Sequence, residues 1–199
     1  MRKKSHVSLA KHIISECCPE NEISHTGAFK LGSLVPDLVP TFITKKHQID
    51  ATFDIIEKKV YKVLDTYDVD KGLTKIHTKD LGVITHYIAD YFTFPHNAEY
   101  PGSLKDHMTY EKTLIEALNS YVASIDVDAP MNRAGLLFLK TCRAPEDVFR
   151  YILHAHAEYV RSAPNVEVDC EHIVRVCNNV VTAILTLLMQ KRQYQVALA

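Results

Sequence analysis

Apolar residues recur along most of this 199-residue chain at intervals of three and four, the spacing that gathers side chains on one side of an α-helix. Ser5 to Cys17 places Val7, Ala10, Ile13 and Ile14 together. Phe29 to Pro40 carries two prolines, which stop any helix near Val35. Lys46 to Tyr67 repeats Phe53, Ile56, Val60, Val63 and Leu64, a long amphipathic helix. Lys79 to Phe92 follows with the stripe Leu81, Ile84, Ile88 and Tyr91, and Pro95 marks its end. Ser103 is placed to cap a helix running to about Ser124. Met131 to Arg161 reads as two helices broken at Ala144-Pro145, and Asp169 as the cap of a last helix reaching about Gln193. No strand pattern of comparable strength, low-complexity linker or internal repeat intervenes. The expectation is an all-α fold: a single compact multi-helical domain over residues 1–199, with about seven helices.

Composition narrows the function classes. Lys+Arg (23) and Asp+Glu (24) nearly cancel to a formal net charge of −1, which argues against a broad electrostatic grip on nucleic acid or on an anionic membrane. The basic start, Met1-Arg-Lys-Lys, is not followed by the apolar run of a secretory leader, because Ser8, Lys11, His12, Ser15 and Glu16 interrupt it. Val180 to Met189 is the longest apolar stretch and reaches only about half of a bilayer core, so no transmembrane segment is expected. Five cysteines lack the CxxC spacing of a zinc knuckle or redox pair, and adjacent Cys17 and Cys18 cannot easily bridge each other. Cys142, Cys170 and Cys177 fall at apolar helical positions. A reduced, cytoplasmic protein is the simplest reading.

Histidine changes the picture, with 11 in all. His86 and Asp90 lie four apart on one helix and therefore point the same way, as do His107 and Glu111 on the next. His96, in Phe94-Pro-His-Asn, sits in the connection between those helices. One His–carboxylate pair at this spacing says little: His12/Glu16 and His154/Glu158 share it and read as solvated helix faces. His86/Asp90 differs, because Asp90 lies among Ile88, Ala89, Tyr91 and Phe92, where an unpaired carboxylate would be costly. Asp37 stands in the Pro-flanked apolar run Leu34-Val-Pro-Asp-Leu-Val-Pro, and His47 ten residues later. Alone, the first would be a turn aspartate and the second a surface histidine. Antiparallel helices with a short connection would bring these groups together, and a mixture of imidazole and carboxylate without thiolate suits Zn²⁺ in an open, catalytic site, ahead of Mn²⁺ or Fe²⁺.

Gly32-Ser-Leu-Val-Pro-Asp37, His47, His86-Tyr-Ile-Ala-Asp90, His96 and His107-xxx-Glu111, in that order, resemble the zinc-dependent phospholipase C family, whose relatives include the P1-type nucleases. The likeness runs from about Ser5 to Leu118. It implies the phospholipase C/P1 nuclease fold and two to three Zn²⁺ ions per chain. One ion would be held by Asp37, His47, His86 and Asp90, and a second by His96, His107 and Glu111. In secreted relatives the third uses an N-terminal Trp and a nearby His, with the carboxylate matched by Asp90. His6 is the match to that histidine and His12 its rival, read as structural. With no Trp in the chain, and Met1 five residues before His6, a third site would use His6 with Asp37 or Asp90 and water, or stay empty.

The resemblance implies a metal-dependent hydrolase of phosphate esters, most simply a phosphodiesterase, in which Zn²⁺ acidifies a water and Asp37 is the general base. The expected partner is a phosphate ester, with phospholipid among the candidates and no stable nucleic-acid partner. Tyr87, Tyr91, Phe92, Phe94 and Tyr100 are candidate pocket walls, with ordinary core packing the plainer reading for most of them. The alternatives are a catalytically inactive metal-binding helical protein, or a small-substrate nuclease or phosphatase on the same scaffold. An HD-type phosphohydrolase would need a His-Asp dipeptide, which is absent.

Overall fold

The computed structural model describes residues 1–17, 23–39, 47–125 and 133–198. Among them are eight α-helices and no strand: α1 (Lys3–Cys17), α2 (Thr26–Gly32), α3 (Ile49–Asp65), α4 (Lys75–Tyr91), α5 (Leu104–Ser124), α6 (Arg133–Thr141), α7 (Pro145–Arg161) and α8 (Val166–Leu198). One-turn 3-10 helices at Val35–Asp37 and Phe94–His96 complete the order. The all-α expectation holds, and the helix the periodicity had not separated is the short α2. Cys18, Pro40, Lys46 and Met131, read from the sequence as a thiol, a helix stop and two helix starts, lie outside the described residues.

α4 is the axis of the molecule. It packs against α1, α2, α3 and α8, and from Leu81 to Tyr91 every residue is buried. Thr74 starts it with a capping box: its hydroxyl accepts from the His77 N–H, and His77 Nδ1 accepts from the Thr74 N–H. Leu81, Ile84 and Ile88 are wholly removed from solvent, and each such side chain stabilises the fold by about 1.5–3 kcal/mol. A helix buried all round leaves no solvated face for His86 and Asp90, so both are forced into the interior.

The crossing of α2 over α4 is unusually close because glycines face each other. A Cβ on Gly32 would come 2.0 Å from the Lys79 carbonyl oxygen, and one on Gly82 would come 2.1 Å from that of Phe29. Only residues without a side chain permit this approach. It places the Ser33 carbonyl against His86 and aims the 3-10 turn bearing Asp37 at the same point.

α5 begins at Ser103 as expected, with a reciprocal bond to Asp106. The expected cap of α8 is corrected. Asn165 performs that task, its side-chain oxygen accepting from the N–H groups of Glu167 and Val168. Asp169 lies inside the first turn with its carboxylate turned into the core. Residues 166–194 of α8 are long and apolar enough by composition to cross a membrane, but most of them are buried against the other helices. Val180, Val181 and Ile184 are fully covered there.

Candidate metal centre

The eight residues singled out in the sequence come together at one end of α4. His86 Nδ1 donates to the Ser33 carbonyl at 2.8 Å, which fixes the ring and leaves Nε2 pointing into the cluster. That Nε2 lies 3.2 Å from His47 Nδ1, 3.2 Å from Asp90 Oδ2 and 3.7 Å from Asp37 Oδ1. His47 Nδ1 is 2.7 Å from Asp90 Oδ2. On the far side, His96 and His107 present Nε2 atoms 3.2 and 3.1 Å from Glu111 Oε1.

Three sets of donor atoms fall close enough to share an ion: His6 with Asp37 and His86; His47 with His86 and Asp90; and His96 with His107 and Glu111. The last matches the grouping expected from the sequence. In the first two, His86 belongs to both sets, and Asp37 is grouped with His6 rather than with His47.

His6 decides whether these residues suit a metal. Its ring is buried, stacks on His86 with centroids 3.9 Å apart, and has no hydrogen-bond partner on either nitrogen. Nε2 lies 3.4 Å from Asp90 Oδ1. Burial pushes the imidazole down to about 3, so it is neutral at pH 7 with an unshared lone pair. Two unpartnered polar atoms inside a core are costly unless something binds them. A divalent cation among these nitrogens and carboxylates would do so, and the donor set fits zinc.

Electrostatics around the cluster point the same way. Burial alone would raise Asp90, but the Met1 α-ammonium and the imidazoles of His96, His86 and His6 hold it well below the usual carboxylate range. Glu111 is likewise lowered against its burial by His107, His96 and the ammonium. Asp37 is raised by burial, with His86 pulling it back.

The Met1 nitrogen was missed by the sequence reading, which set Met1 aside for its distance from His6. It lies 2.5 Å from Asp90 Oδ1, 2.9 Å from His96 Nε2 and 3.2 Å from Glu111 Oε1, a cation bridging the two sides of the cluster. The buried positions of α1 run Ser5, Leu9, Ile13, and Met1 continues that four-residue spacing backwards.

The residues read from the sequence as structural or solvated stand apart from the cluster. His12 meets Asn178 at 3.2 Å, far along α8, and is lowered by burial. His154 and Glu158 form an exposed pair at 3.7 Å. Burial pushes the Cys142 and Cys170 thiols up to about 11 and 12, which makes them poor nucleophiles.

The cluster opens into a cleft of about 970 Å³. Asp37, His47, His96, His107 and Glu111 reach it, while His6, His86 and Asp90 lie beneath. Its walls are Pro95, Leu104, Met108 and Ile115, with basic residues at the mouth. None of the five aromatic residues proposed from the sequence lines it. Tyr91 and Phe92 are core, Phe92 packing on Tyr159 and His172, and Tyr87 sets its edge against His47 and His86.

The family model for zinc-dependent phospholipase C matches residues 5–166. The chain belongs to that family. No curated protein and no solved structure matches it. The family match covers all eight candidate ligands and ends where α8 begins. Family membership supports a hydrolase that uses zinc, and the His and Asp groups described above are able to bind metal.

Proposed function

We propose that this protein hydrolyses phosphodiesters, phospholipids among them, with two to three Zn²⁺ ions held by His6, Asp37, His47, His86, Asp90, His96, His107 and Glu111. The observation that carries the reading is the buried imidazole of His6, hydrogen-bonded on neither nitrogen and set beside Asp90 and His86, lying beneath a cleft to which Asp37, His47, His96, His107 and Glu111 are presented together. When bound, zinc would polarise the phosphoryl group and acidify a water. The protein supplies the rest. The Ser33 carbonyl fixes the His86 ring, and His107 and Glu111 reach the cleft from a single face of α5. Asp37 sits at the cleft with its carboxyl raised by burial, which favours its taking the proton released by an attacking water. The apolar walls leave room for an acyl-bearing or other hydrophobic group beside the reacting phosphate. Buried thiols at Cys142, Cys170 and Cys177 support the cytoplasmic location read from the sequence.

Elemental analysis of protein purified without chelator or metal-affinity tag tests the reading, together with hydrolysis of bis(p-nitrophenyl) phosphate and of a short-chain phospholipid. Two or three zinc ions per chain, and turnover abolished by His86→Ala or His107→Ala, are expected. Fewer than two ions after zinc is supplied, or turnover that survives either substitution, would overturn it.

A further inference from the structure

The mouth of the cleft is built differently from its floor. Leu104 and Met108, one turn apart on α5, are 77% and 55% exposed, two large apolar side chains turned to solvent at the cleft. Across the opening stand Arg2, Lys3 and Lys4 at the start of α1, and Lys112 continues the α5 face one turn beyond Met108. Arg2 is tied in place, its Nη2 donating to the Met108 carbonyl at 2.9 Å, so the basic and apolar parts form one continuous rim. Four basic side chains line the cleft against three acidic ones, and because Asp37 and Glu111 belong to the metal-binding cluster, only Glu116 accompanies the cations at the edge, although the whole chain carries a formal net charge of −1. The positive charge is therefore local to the mouth, and it surrounds apolar side chains that face solvent.

We infer that this rim docks the protein on an anionic lipid surface, with Leu104 and Met108 entering the acyl boundary and Arg2, Lys3, Lys4 and Lys112 meeting acidic headgroups. Cations flanking exposed aliphatic side chains are what an anionic bilayer recognises, each basic residue adding electrostatic attraction and the buried aliphatic area adding a hydrophobic gain. The orientation has a consequence for catalysis: a lipid phosphate at the surface would stand directly over Asp37, His47 and His107. The inference rests on the proposed phosphodiesterase reading for its substrate but not for its binding.

Co-sedimentation of zinc-loaded protein tests it, using vesicles of phosphatidylcholine alone and of phosphatidylcholine mixed with phosphatidylserine. Binding is expected only to the mixed vesicles and should weaken as salt rises. Lys3→Ala, Lys4→Ala and Lys112→Ala should each lower the partition coefficient about fivefold. Leu104→Ser should lower it at all salt concentrations, and unchanged melting temperatures would show that these variants fold. Equal binding to both vesicle types, binding indifferent to the lysine changes, or displacement by inorganic phosphate would overturn the proposal. So would tighter binding to a single-stranded oligonucleotide than to the mixed vesicles. Vesicle binding by a protein that cleaves no phosphodiester would leave the docking surface standing and remove the catalytic reading. Cleavage of bis(p-nitrophenyl) phosphate by a protein that ignores vesicles would do the reverse.

Discussion

Replacing Asp169 isolates a buried carboxylate that ties α8 to both segments carrying the His96, His107 and Glu111 group. Its Oδ2 accepts from the Phe94 N–H at 2.9 Å and from the Tyr110 hydroxyl at 2.9 Å, and its Oδ1 from the Tyr159 hydroxyl at 2.6 Å. Phe94 is two residues from His96, and Tyr110 adjoins Glu111. Three hydrogen bonds to a charged acceptor contribute about 5–9 kcal/mol together. Burial outweighs those bonds in setting the carboxyl, which is raised from its ordinary 3.8 to about 6 even with the three donors in place. Asp169→Ala leaves the Phe94 N–H and the Tyr110 and Tyr159 hydroxyls without their acceptor, at about 1–3 kcal/mol for each donor stranded in the core. Asp169→Asn keeps the shape: its carbonyl can still accept from Phe94 and Tyr110, and its amide can donate to the Tyr159 oxygen, so a loss within about 1–2 kcal/mol is expected. The pH dependence separates the two contributions. An acid whose folded pKa lies above its unfolded one binds its proton more tightly when folded. Its contribution to stability is therefore greatest below 3.8, declines as pH rises to about 6, and is flat above. Urea unfolding of chelated and zinc-loaded protein across that window provides the assay, and the decline should be absent in Asp169→Asn. An alanine variant within about 1 kcal/mol of the parent at pH 7 would refute the reasoning, because the three donors would then have been satisfied without the carboxylate.

Further expectations follow from single contacts. Gly82→Ala sets a methyl group against the Phe29 carbonyl, where a Cβ would come within 2.1 Å, so α2 must move. A loss of more than about 3 kcal/mol in unfolding free energy, with weaker zinc retention through the displaced Ser33 carbonyl, is expected; an unaltered melting temperature would contradict the close crossing. His6→Ala should remove one zinc ion per chain by elemental analysis, and unchanged stoichiometry would separate His6 from the metals. In chelated protein, His6→Phe should raise the melting temperature, since an apolar ring removes two unpartnered nitrogens from the core, whereas with zinc supplied the parent should be the more stable. A destabilised chelated His6→Phe protein would mean that the two nitrogens are satisfied without metal.

The helices were legible because their apolar spacing is strong and their ends carry recognisable chemistry. Ser103 and Pro145 both stand where expected, at the starts of α5 and α7. What escaped was tertiary. The short α2 has too few turns to show a period, and its stability comes from the glycine-to-glycine crossing with α4, a contact between positions fifty residues apart. Asp169 misled for a related reason. An aspartate near a helix start is usually a cap, but Asn165 already satisfies the first N–H groups, and two tyrosines from other helices claim the carboxylate instead.

The candidate ligands were legible because residue type and spacing carry metal chemistry even before the fold is known. How they divide among ions was not, since that depends on which ring the Ser33 carbonyl orients and on where α1 enters. The Met1 nitrogen shows the limit most clearly. It contributes no side-chain chemistry and no motif, yet the buried line of Met1, Ser5, Leu9 and Ile13 delivers its charge to within hydrogen-bond distance of Asp90 and Glu111. The same helix entry brings Arg2 onto Met108 and so sets the basic edge of the cleft. One packing decision, the seating of α1 against α5 and α4, therefore fixes two things at once: the charge balance inside the cluster, and the surface through which a substrate must reach it.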